Sequence, residues 1–494
     1  MTSPLICSVG SAPPPESLFP AVESRPFALW LDSALVHPEV GRYSFIATDP
    51  FLVLRGRDGR SEWIDRSGAS AGRRDPLSEL GEALLRFRLA PTSDLPPFSG
   101  GAAGYLGYEL ARDLERLPRP RAADLDAPDL ELGFYDLVIG WDHVRSRCWI
   151  ASTGFPETGA EREQRARRRL EEARLWLAGG PPPEPDRLAA WSTAKRSDVA
   201  SRTSARSRRG PRLHPVPEAP QLRSSFSREA YAATVRKAVE LIRAGDVFQV
   251  NLSQRFEGPG PARPFSLYQS LRRDNPAPFA AFYRGSRCTI LSASPERFFR
   301  LSRDGRAEAR PIKGTRPRGS SAEADVAMAR ELLESDKDRA ENLMIVDLVR
   351  NDLSRVCRPG SVGATDLFRL ESFATVHHLV STVTGTMKNG LGALDLLRAA
   401  FPCGSVTGAP KIRAMEIISA LEPVARGPYC GAIGYVGFGG DADASVAIRI
   451  LVSAAKRCLI HAGGAVVADS DPLREYEETL AKARALIEAH AGAA

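Results

Sequence analysis

Residues 310–319 read Arg-Pro-Ile-Lys-Gly-Thr-Arg-Pro-Arg-Gly. The two prolines of this stretch fix φ and remove backbone donors, and its two glycines permit turns that a Cβ would forbid. The stretch therefore predicts a rigid, bent loop rather than a helix or a regular strand. Lys313 comes directly before the turn at Gly314, so its amine is a candidate to pair with an anion or to attack carbon.

The chemistry of Lys313 depends on how much of its amine is neutral. An unperturbed lysine has a pKa of about 10.4 and is only about 0.1% neutral at pH 7.4. Burial or a neighbouring cation that lowers the pKa by about two units would raise the neutral fraction to roughly 10%. The alternative is a basic turn on a solvated rim, and the rest of the chain decides between the two.

Length and composition describe an ordinary globular chain. Its 494 residues suffice for two domains or one unusually large one, and 43% are hydrophobic and 26% charged. No apolar run reaches the roughly 18 residues of a membrane span, and residues 1–20 lack the pattern of a secretory signal. The seven cysteines are scattered without a Cys-x-x-Cys pair. This favours reduced thiols in a cytoplasmic protein and argues against a structural zinc site.

The net charge of +7 is unevenly distributed. Residues 184–223 hold nine Lys and Arg against four Asp and Glu, so this segment carries most of the positive surplus. No platform of aromatic and basic residues accompanies it. We therefore do not expect nucleic-acid binding.

Composition divides the chain into three segments. Residues 1–178 contain short β-rich runs bounded by turn residues, which predict a first domain. Residues 179–224 are rich in Pro, Ser and Arg with few large apolar residues, which predicts a linker or a disordered insertion. Residues 225–494 alternate helical and strand patterns and predict a second domain. Strands that return by short turns favour an α+β arrangement of antiparallel sheets with helices outside.

Periodicity and capping signals place the elements of the second domain. Ser227 is the expected N-cap of a helix, and Phe248, Val250 and Leu252 are expected on the buried face of a strand. Helices are predicted at 161–178, 322–334, 338–351, 394–400, 411–421 and 473–489, and strands at 287–293, 431–438, 445–452 and 458–461.

Two predicted helices each carry a pair of carboxylates three residues apart. Asp338 and Glu341 form one pair, and Glu475 and Glu478 form the other. Two such helices facing each other could hold Mg²⁺, which prefers oxygen ligands and keeps several waters. The alternative is two solvated helix faces with intrahelical ion pairs, such as that between Glu478 and Lys482.

Several single residues are further candidates. Glu296 is either a general acid or a surface glutamate, and His377 and His378 are typical of hydrogen-bonded core histidines. Arg449 interrupts an apolar strand and, if buried, needs an anion. The amides of residues 463–465 offer donors to a carboxylate.

Taken together, these stretches resemble the chorismate-utilising enzymes, which include component I of anthranilate synthase, component I of aminodeoxychorismate synthase, and isochorismate and salicylate synthases. The motifs cover essentially all of the second domain, with weaker matches at 31–33 and 41–45. The resemblance implies the fold of anthranilate synthase component I, in which antiparallel β-sheets pack as a sandwich with helices outside. The matching motifs are PIKGTRPRG (311–319), ENLMIVDLVRNDL (341–353), VHHLVS (376–381), FPCGSVTGAPKIRAME (401–416), GAIGY (431–435), IRIL (448–451), ADSDP (468–472) and EYEET (475–479).

Two positions distinguish members of this family. Enzymes that add water to the ring carry a lysine where this chain has Gln249, and anthranilate synthases typically have alanine where it has Lys313. The lysine form resembles aminodeoxychorismate synthase component I. This implies conversion of chorismate and ammonia to 4-amino-4-deoxychorismate, for para-aminobenzoate and folate, through a covalent adduct on Lys313. Anthranilate synthase component I and a non-catalytic chorismate-binding regulatory subunit are the alternatives.

The resemblance also implies roles for individual residues. Glu296 would assist departure of the C4 hydroxyl, and His378, not His377, is the family's histidine. Mg²⁺ would bind Glu341 and Glu478, with Asp338 and Glu475 beside them. Ala465 stands where glycine is usual, so its Cβ could crowd the substrate. The implied substrate contacts are Gly314, Thr315, Thr407, Tyr429, Arg449, Gly463, Gly464, Ala465 and Lys482.

The chain has no Gly-x-Cys-x-Gly elbow and therefore no evident glutaminase. The resemblance implies a separate glutamine amidotransferase subunit, component II, as the source of ammonia. The first domain resembles the one that holds tryptophan in relatives. The corresponding residues here are Ser33 and the loop 275–279, with Pro278 and Phe279.

Overall fold

The computed structural model describes residues 3–10, 12–90, 95–184, 210–373 and 376–492. Its strands are β1 (Leu5–Val9), β2 (Leu29–Asp32), β3 (Tyr43–Ala47), β4 (Leu52–Arg57), β5 (Arg60–Asp65), β6 (Gly68–Ala71), β7 (Gly101–Leu106), β8 (Leu130–Tyr135), β9 (Leu137–Asp142), β10 (Arg147–Ser152), β11 (His214–Pro215), β12 (Arg223–Ser224), β13 (Gln249–Pro259), β14 (Phe279–Arg284), β15 (Thr289–Ser294), β16 (Arg297–Leu301), β17 (Arg306–Ala309), β18 (Ile312–Pro317), β19 (Gly363–Ser372), β20 (Val376–Thr386), β21 (Gly408–Ala409), β22 (Ala432–Gly437), β23 (Ala442–Val446), β24 (Ile450–Ala454) and β25 (Arg457–Val466).

The helices follow the apolar periodicity of the sequence, and their predicted ends lie within three residues of the observed ones. Ser227 caps its helix by accepting a hydrogen bond from the Ala230 amide at 3.2 Å, as expected. The helices are α1 (Pro15–Leu18), α2 (Pro76–Arg86), α3 (Ala111–Leu114), α4 (Gly159–Leu177), α5 (Arg228–Arg243), α6 (Pro264–Asp274), α7 (Ala322–Glu334), α8 (Asp336–Ser354), α9 (Ala393–Ala400), α10 (Lys411–Leu421) and α11 (Pro472–Ala491).

Two large antiparallel sheets organise the chain. The first runs β1-β10-β9-β3-β2-β14-β15-β24-β25-β13-β12-β11, with β21 also paired to β13. The second runs β18-β20-β17-β16-β23-β22-β7-β8-β4-β5-β6, with β19 also paired to β20. The predicted α+β class with antiparallel sheets is confirmed.

The main core lies between the two sheets, and helices cover the outer face of the first one. The rings of Phe45 on β3 and Tyr435 on β22 meet edge to face at 5.6 Å, which joins the sheets directly. On the outer face, Trp30 of β2 packs edge to face on Tyr268 of α6 at 5.6 Å. Side chains of α4, α6 and α11 belong to this second apolar cluster. This is the predicted sandwich with helices outside.

Both sheets combine strands from the 1–178 and 225–494 segments. In the first sheet β2 pairs with β14, and in the second β7 pairs with β22. Gly104 and Gly434 lie opposite each other across the second junction. A Cβ on Gly104 would lie 2.2 Å from the Glu131 carbonyl oxygen, so this glycine-rich strand packs closely, as predicted. The two segments therefore share both sheets and the core between them. The domain boundaries at 178 and 224 stay predictions.

The predicted linker contributes to the first sheet at its carboxyl end. Residues 214–215 and 223–224 form β11 and β12, and β12 pairs with β13. The expectation of a linker or disordered insertion is therefore wrong for 210–224, because these residues supply backbone hydrogen bonds to a sheet edge. Residues 185–209, which hold most of the basic surplus, lie outside the described residues.

Two strand predictions need correction. The strand expected at 445–452 is two strands, β23 and β24, because the chain bends at Arg449, whose φ is +54°. Phe248 was expected on a buried face but is 72% exposed, since β13 begins at Gln249, which is buried. Side chains on both faces of β13 are buried, so simple alternation of apolar and polar residues fails there.

None of the described helices combines the length and apolarity that crossing a membrane requires. The seven cysteines all lie within described residues and form no disulfide there.

Candidate active site

Lys313 lies on a bulge at the edge of the second sheet. The stretch predicted as a loop is the strand β18, which pairs with β20, so that prediction is wrong in its element type. The register is irregular, because Ile312 pairs with Val380 and Thr315 pairs with His378, leaving one extra residue on β18. Gly314 makes the bend at φ +87°, a backbone conformation that glycine adopts without strain.

The Lys313 amine lies among charged groups from two helices, α8 and α11, and from the loop after β15. Burial lowers its pKa, and the Lys482 ammonium acts in the same direction. The carboxylates of Glu341, Glu296 and Glu478 act in the opposite direction, so they lie within electrostatic reach of the amine. The net pKa lies below the ordinary lysine value, which increases the neutral, nucleophilic fraction. The solvated-rim alternative for Lys313 does not describe this environment.

Glu296 follows β15 and is only 3% exposed. Burial raises the pKa of its carboxyl to about 7, against the opposing effects of a hydrogen bond from Ser405, the charge of Lys313 and the Ile312 amide. Its Oε1 is buried without a hydrogen-bond partner. Glu296 is therefore a buried acid, next to Lys313, that can hold or release a proton near neutral pH.

The two adjacent histidines have different surroundings. The Nδ1 of His378 is 2.9 Å from the Thr315 hydroxyl, and burial, helped by the Arg449 charge, lowers the pKa of His378 to about 4. Its imidazole is therefore neutral at pH 7. His377 is fully engaged elsewhere, with Nδ1 2.8 Å from Ser372 and Nε2 3.0 Å from Asp325.

Three glutamates from α8 and α11 lie within electrostatic reach of one another. Burial raises the pKa of Glu341 and of Glu475, and the charge of Glu478 adds to both effects. Burial also opposes ionisation of Glu478 itself, but the hydrogen-bonded Lys482 ammonium holds its pKa below the ordinary value. Asp338 is occupied by Arg316, whose Nη2 lies 3.0 Å from its carboxylate.

The carboxylate cluster suits a hard cation that brings its own water. The Oε2 of Glu475 is buried and has no hydrogen-bond partner in the described part of the chain. Gly464 leaves room beside it, since a Cβ there would lie 3.0 Å from Glu475 Oε2 and 3.1 Å from Glu478 Oε1. Among the described residues, no three His, Cys, Asp or Glu side chains converge as a complete set of metal ligands. The arrangement fits Mg²⁺, which keeps waters and takes part of its shell from substrate.

Arg449 is a cation that lacks a carboxylate partner among the described residues. Its Nη1 donates to the Lys482 carbonyl at 2.6 Å, and burial lowers its pKa. Of the carboxylates, that of Glu478 acts on the guanidinium through its charge alone. A buried guanidinium in this state is stabilised by an incoming anion. The left-handed backbone at Arg449 is the kind of strain that clusters at functional sites.

Most of the remaining predicted substrate contacts lie on β25 or contact it. Residues 463–465 lie on β25 opposite β13, and Lys482 Nζ donates to the Gly463 carbonyl at 3.2 Å. The Tyr429 ring stacks on His461 at 5.1 Å with an interplanar angle of 12°. Thr407 is fully buried, and its hydroxyl donates to the carbonyls of Cys403 and Gly404 at 3.1 and 3.3 Å. Its hydroxyl is therefore committed to its own turn.

Sequence reasoning missed Ser405, His461 and the pair Glu422–Arg426. Ser405 lies in the family motif at 401–416, but its hydrogen bond to Glu296 joins residues more than a hundred positions apart. His461 was predicted to lie on a strand, and no contact of its side chain was predicted. Its Nε2 is buried and has no hydrogen-bond partner among the described residues. Glu422 and Arg426 are four residues apart in the loop after α10, a spacing that also occurs in surface ion pairs. Only their burial distinguishes these two residues from a surface ion pair.

The residues predicted for tryptophan lie in a different place. Ser33, Pro278 and Phe279 line a cavity of about 960 Å³ between the sheets, away from the Glu341 and Glu478 carboxylates. The Arg297 guanidinium lies over the Phe279 ring at 5.0 Å. Arg310, three residues before Lys313, also lines this cavity and pairs with Glu39 at 3.0 Å.

Known proteins match this chain over nearly its whole length. A family model described as "chorismate binding enzyme" matches residues 32–488. Aminodeoxychorismate synthase component 1 of Klebsiella aerogenes is 38% identical over 489 residues, which span 99% of both chains. Anthranilate synthase component 1 of Synechocystis sp. is 38% identical over 491 residues, which span 96% of this chain and 93% of that one. The crystal structure of anthranilate synthase component I from Streptococcus pneumoniae TIGR4 matches with a TM-score of 0.73 and 31% identity, covering 92% of this chain and 94% of that one.

Proposed function

The chain belongs to the chorismate binding enzyme family, and on this premise we propose that it converts chorismate and ammonia to 4-amino-4-deoxychorismate. Relatives named for this activity and relatives named anthranilate synthase are equally similar to it, at 38% identity. Overall identity therefore does not separate the two activities. The observation that carries the proposal is Lys313, a half-buried lysine with a lowered pKa at the position where anthranilate synthases typically have alanine.

The first half of the reaction uses Lys313 and Glu296. The neutral amine of Lys313 attacks C2 of chorismate, the ring double bonds shift, and the bond from C4 to its hydroxyl breaks. The Glu296 carboxyl donates its proton to the departing hydroxyl, which leaves as water. A pKa of about 7 keeps a large fraction of Glu296 protonated at neutral pH, as this step needs.

The second half replaces lysine by ammonia. Ammonia attacks C4 of the adduct, the double bonds shift back, the bond between C2 and Lys313 breaks, and the proton lost by the C4 nitrogen returns to the Glu296 carboxylate. The net change is chorismate plus ammonia giving aminodeoxychorismate plus water, and the enolpyruvyl group is retained. The neutral imidazole of His378, held by Thr315, lines the ring without adding a charge.

Chorismate is a dianion, and each of its carboxylates has a proposed partner. Arg449, Tyr429, Lys482 and the amides of 463–465 hold the enolpyruvyl carboxylate, and residues 314–315 and Thr407 line the ring. Glu341 and Glu478 hold Mg²⁺, with Asp338 and Glu475 beside them. Bound Mg²⁺ would neutralise the ring carboxylate. The cations Arg449 and Lys482 attract the dianion into a site that is otherwise rich in carboxylates.

Ammonia comes from a second protein in this proposal. The relatives are named "component 1", and we propose a glutamine amidotransferase subunit, component II, as the partner. The purified chain is expected to consume chorismate with ammonium but not with glutamine. Glutamine should become a substrate only after the amidotransferase is added. Turnover of glutamine by the chain alone would contradict this assignment.

We also propose that the cavity of Ser33, Pro278 and Phe279 binds tryptophan or a similar aromatic amino acid. Its volume of about 960 Å³ exceeds that of such a ligand, and it contains both an aromatic ring and charged groups. Calorimetric titration with tryptophan tests this, with Ser33→Trp as the variant that fills the cavity. A binding isotherm unchanged in that variant would place the ligand elsewhere.

Product identification tests the main proposal. The chain is incubated with chorismate, Mg²⁺ and ammonium, and the products are separated by liquid chromatography. Aminodeoxychorismate without released pyruvate is expected. Fluorescent anthranilate together with pyruvate would assign the alternative, anthranilate synthase component I.

A trapped adduct tests the role of Lys313 separately. Intact-protein mass spectrometry after mixing with chorismate without ammonium is expected to detect a covalent adduct. Lys313→Ala should abolish the adduct, while Lys337→Ala, an exposed lysine one turn before Glu341, should retain it. A wild-type chain with neither an adduct nor turnover would favour the non-catalytic regulatory subunit.

A further inference from the structure

A buried ion pair lies beneath the proposed substrate site without taking part in the mechanism above. Glu422 and Arg426 are 4% and 2% exposed. Arg426 Nε and Nη2 donate to the two oxygens of Glu422 at 3.0 and 2.7 Å. This two-pronged geometry uses the planar guanidinium, which a lysine cannot reproduce.

The same guanidinium also holds two backbone carbonyls. Arg426 Nη1 donates to the Val406 carbonyl at 2.9 Å, and Nη2 donates to the Asn251 carbonyl at 2.9 Å. Val406 directly precedes Thr407, and Asn251 lies opposite Ala465 across the β13–β25 pair. One side chain therefore links the loop of Thr407 to the strand that faces residues 463–465.

Further bonds extend from this centre to the same segments. The Asn251 amide donates to the Thr407 carbonyl at 2.8 Å, and Ser253 donates to Glu422 through its amide and its hydroxyl at 2.8 and 2.9 Å. Ser253 lies opposite Gly463. The buried carboxylate of Glu422 is thereby satisfied by Arg426 and by β13 together.

The ring of Tyr429 also lies near the Arg426 guanidinium. The Arg426 guanidinium lies 6.0 Å from the Tyr429 ring centroid and 4.7 Å from that of Tyr108. Glu109 accepts hydrogen bonds from the amides of Arg426 and Gly427 at 2.9 and 2.8 Å, which fixes the turn that leads to Tyr429. Three separate substrate-binding segments thus meet at one guanidinium.

We propose that Arg426, oriented by Glu422, is a positioning residue that sets the spacing between Thr407, residues 463–465 and Tyr429 and so determines the affinity for chorismate. The inference rests on the proposed substrate contacts. It does not depend on which product the enzyme forms. Neither residue touches the reacting atoms. Loss of either side chain is therefore expected to weaken chorismate binding more than it slows the chemical step.

The test uses Arg426→Lys, which keeps the charge and removes the fork, and a matched control, Arg165→Lys. Arg165 on α4 forms an ion pair of similar burial with Asp136 at 2.9 Å, remote from the site. KM, kcat and thermal midpoint are measured by chorismate consumption, whichever product forms. Arg426→Lys is expected to raise KM at least tenfold with kcat within about threefold of wild type. Arg165→Lys should lower the midpoint by a similar amount and leave KM unchanged.

A second variant separates positioning from stability. In Arg426→Met/Glu422→Leu both charges are removed together, so neither is left buried without its partner, while the carbonyls of Val406 and Asn251 lose their donor. This variant should fold and still show the raised KM. KM within twofold of wild type in either folded variant would overturn the proposal. Failure of both variants to fold would also overturn it, because the pair would then serve core stability. A wild type that forms anthranilate would refute the proposed function and leave this inference standing.

Discussion

Lys313 and Glu296 have opposite pKa shifts with the same physical cause. Burial disfavours the charged form of any group, so it lowers the pKa of the lysine and raises that of the glutamic acid. Each side chain is thereby moved toward its neutral form, and the neutral forms are the nucleophile and the proton donor that the proposed reaction needs. Their mutual attraction acts against both shifts and limits them.

The pH dependence of activity follows from Glu296. The reaction needs Glu296 protonated and Lys313 neutral, so the rate should fall about tenfold per pH unit once the pH exceeds both pKa values, of which that of Glu296 is about 7. Glu296→Gln should lower kcat by about 10²–10⁴-fold, because it removes the donated proton. A pH–rate profile of both proteins checks this, with chorismate saturating. A flat alkaline limb in the wild type would contradict the role.

Glu296 also predicts a pH dependence of stability. The folded pKa, about 7, lies above the ordinary glutamic acid value of 4.5. Between these values the folded state binds more protons than the unfolded state, so stability falls as pH rises from about 4.5 to about 7. Glu296→Gln removes this loss and should be more stable than wild type at pH 8, by about 1–3 kcal/mol. Urea unfolding at pH 5 and pH 8 measures the difference, and equal effects at both pH values would refute it.

At the scale of elements, the bulge between β18 and β20 places the catalytic lysine. The strand continues past the bulge because Thr315 returns to register with His378. Gly314 lies against α7 and α8, and a Cβ there would meet Leu332 Cδ1 at 2.9 Å and the Asp338 Cβ at 3.1 Å. The bulge therefore depends on glycine for its backbone conformation and for its packing.

Gly314→Ala is expected to reduce activity as well as stability. The left-handed conformation costs an alanine about 1–2 kcal/mol, and the contacts with Leu332 and Asp338 add to this by displacing the bulge. Gly305→Ala is the matched control, since Gly305 has φ +83° but only Met387 Cβ within 4 Å, at 3.9 Å. Both variants should lose stability, but only Gly314→Ala should lose kcat, by at least about tenfold. Equal kcat in the two variants would contradict the role of the bulge.

Local sequence signals predicted elements whose causes are local and missed those set by distant partners. The helix cap at Ser227 was predictable because it bonds an amide three residues away. The strand character of β18 was not, because its prolines and glycines suggest a loop and its partner β20 lies more than sixty residues away. The same limit applies to the site. The family resemblance implied the roles of Lys313 and Glu296, whereas the bonds of Arg426 to Val406 and Asn251 appear only in the fold.

At the scale of the whole molecule, the two sheets make one cooperative unit of segments that the sequence divides. The β2–β14 and β7–β22 junctions both join the 1–178 segment to the 225–494 segment. Separating the segments would expose two unpaired strand edges on each and open the core between Phe45 and Tyr435. The arrangement also places the cavity of Ser33 and Phe279 across the segment boundary.

Unfolding is therefore expected to be a single transition. Calorimetry of the full chain should give one peak whose van't Hoff and calorimetric enthalpies agree, because neither segment keeps a complete sheet without the other. Fragments 1–178 and 225–494, produced separately, should each lack a cooperative transition and should recover chorismate binding only when mixed. Two resolved peaks, or a 225–494 fragment that binds chorismate alone, would instead establish two independent domains. In that case the shared strands would be an interface between domains rather than the centre of a common core.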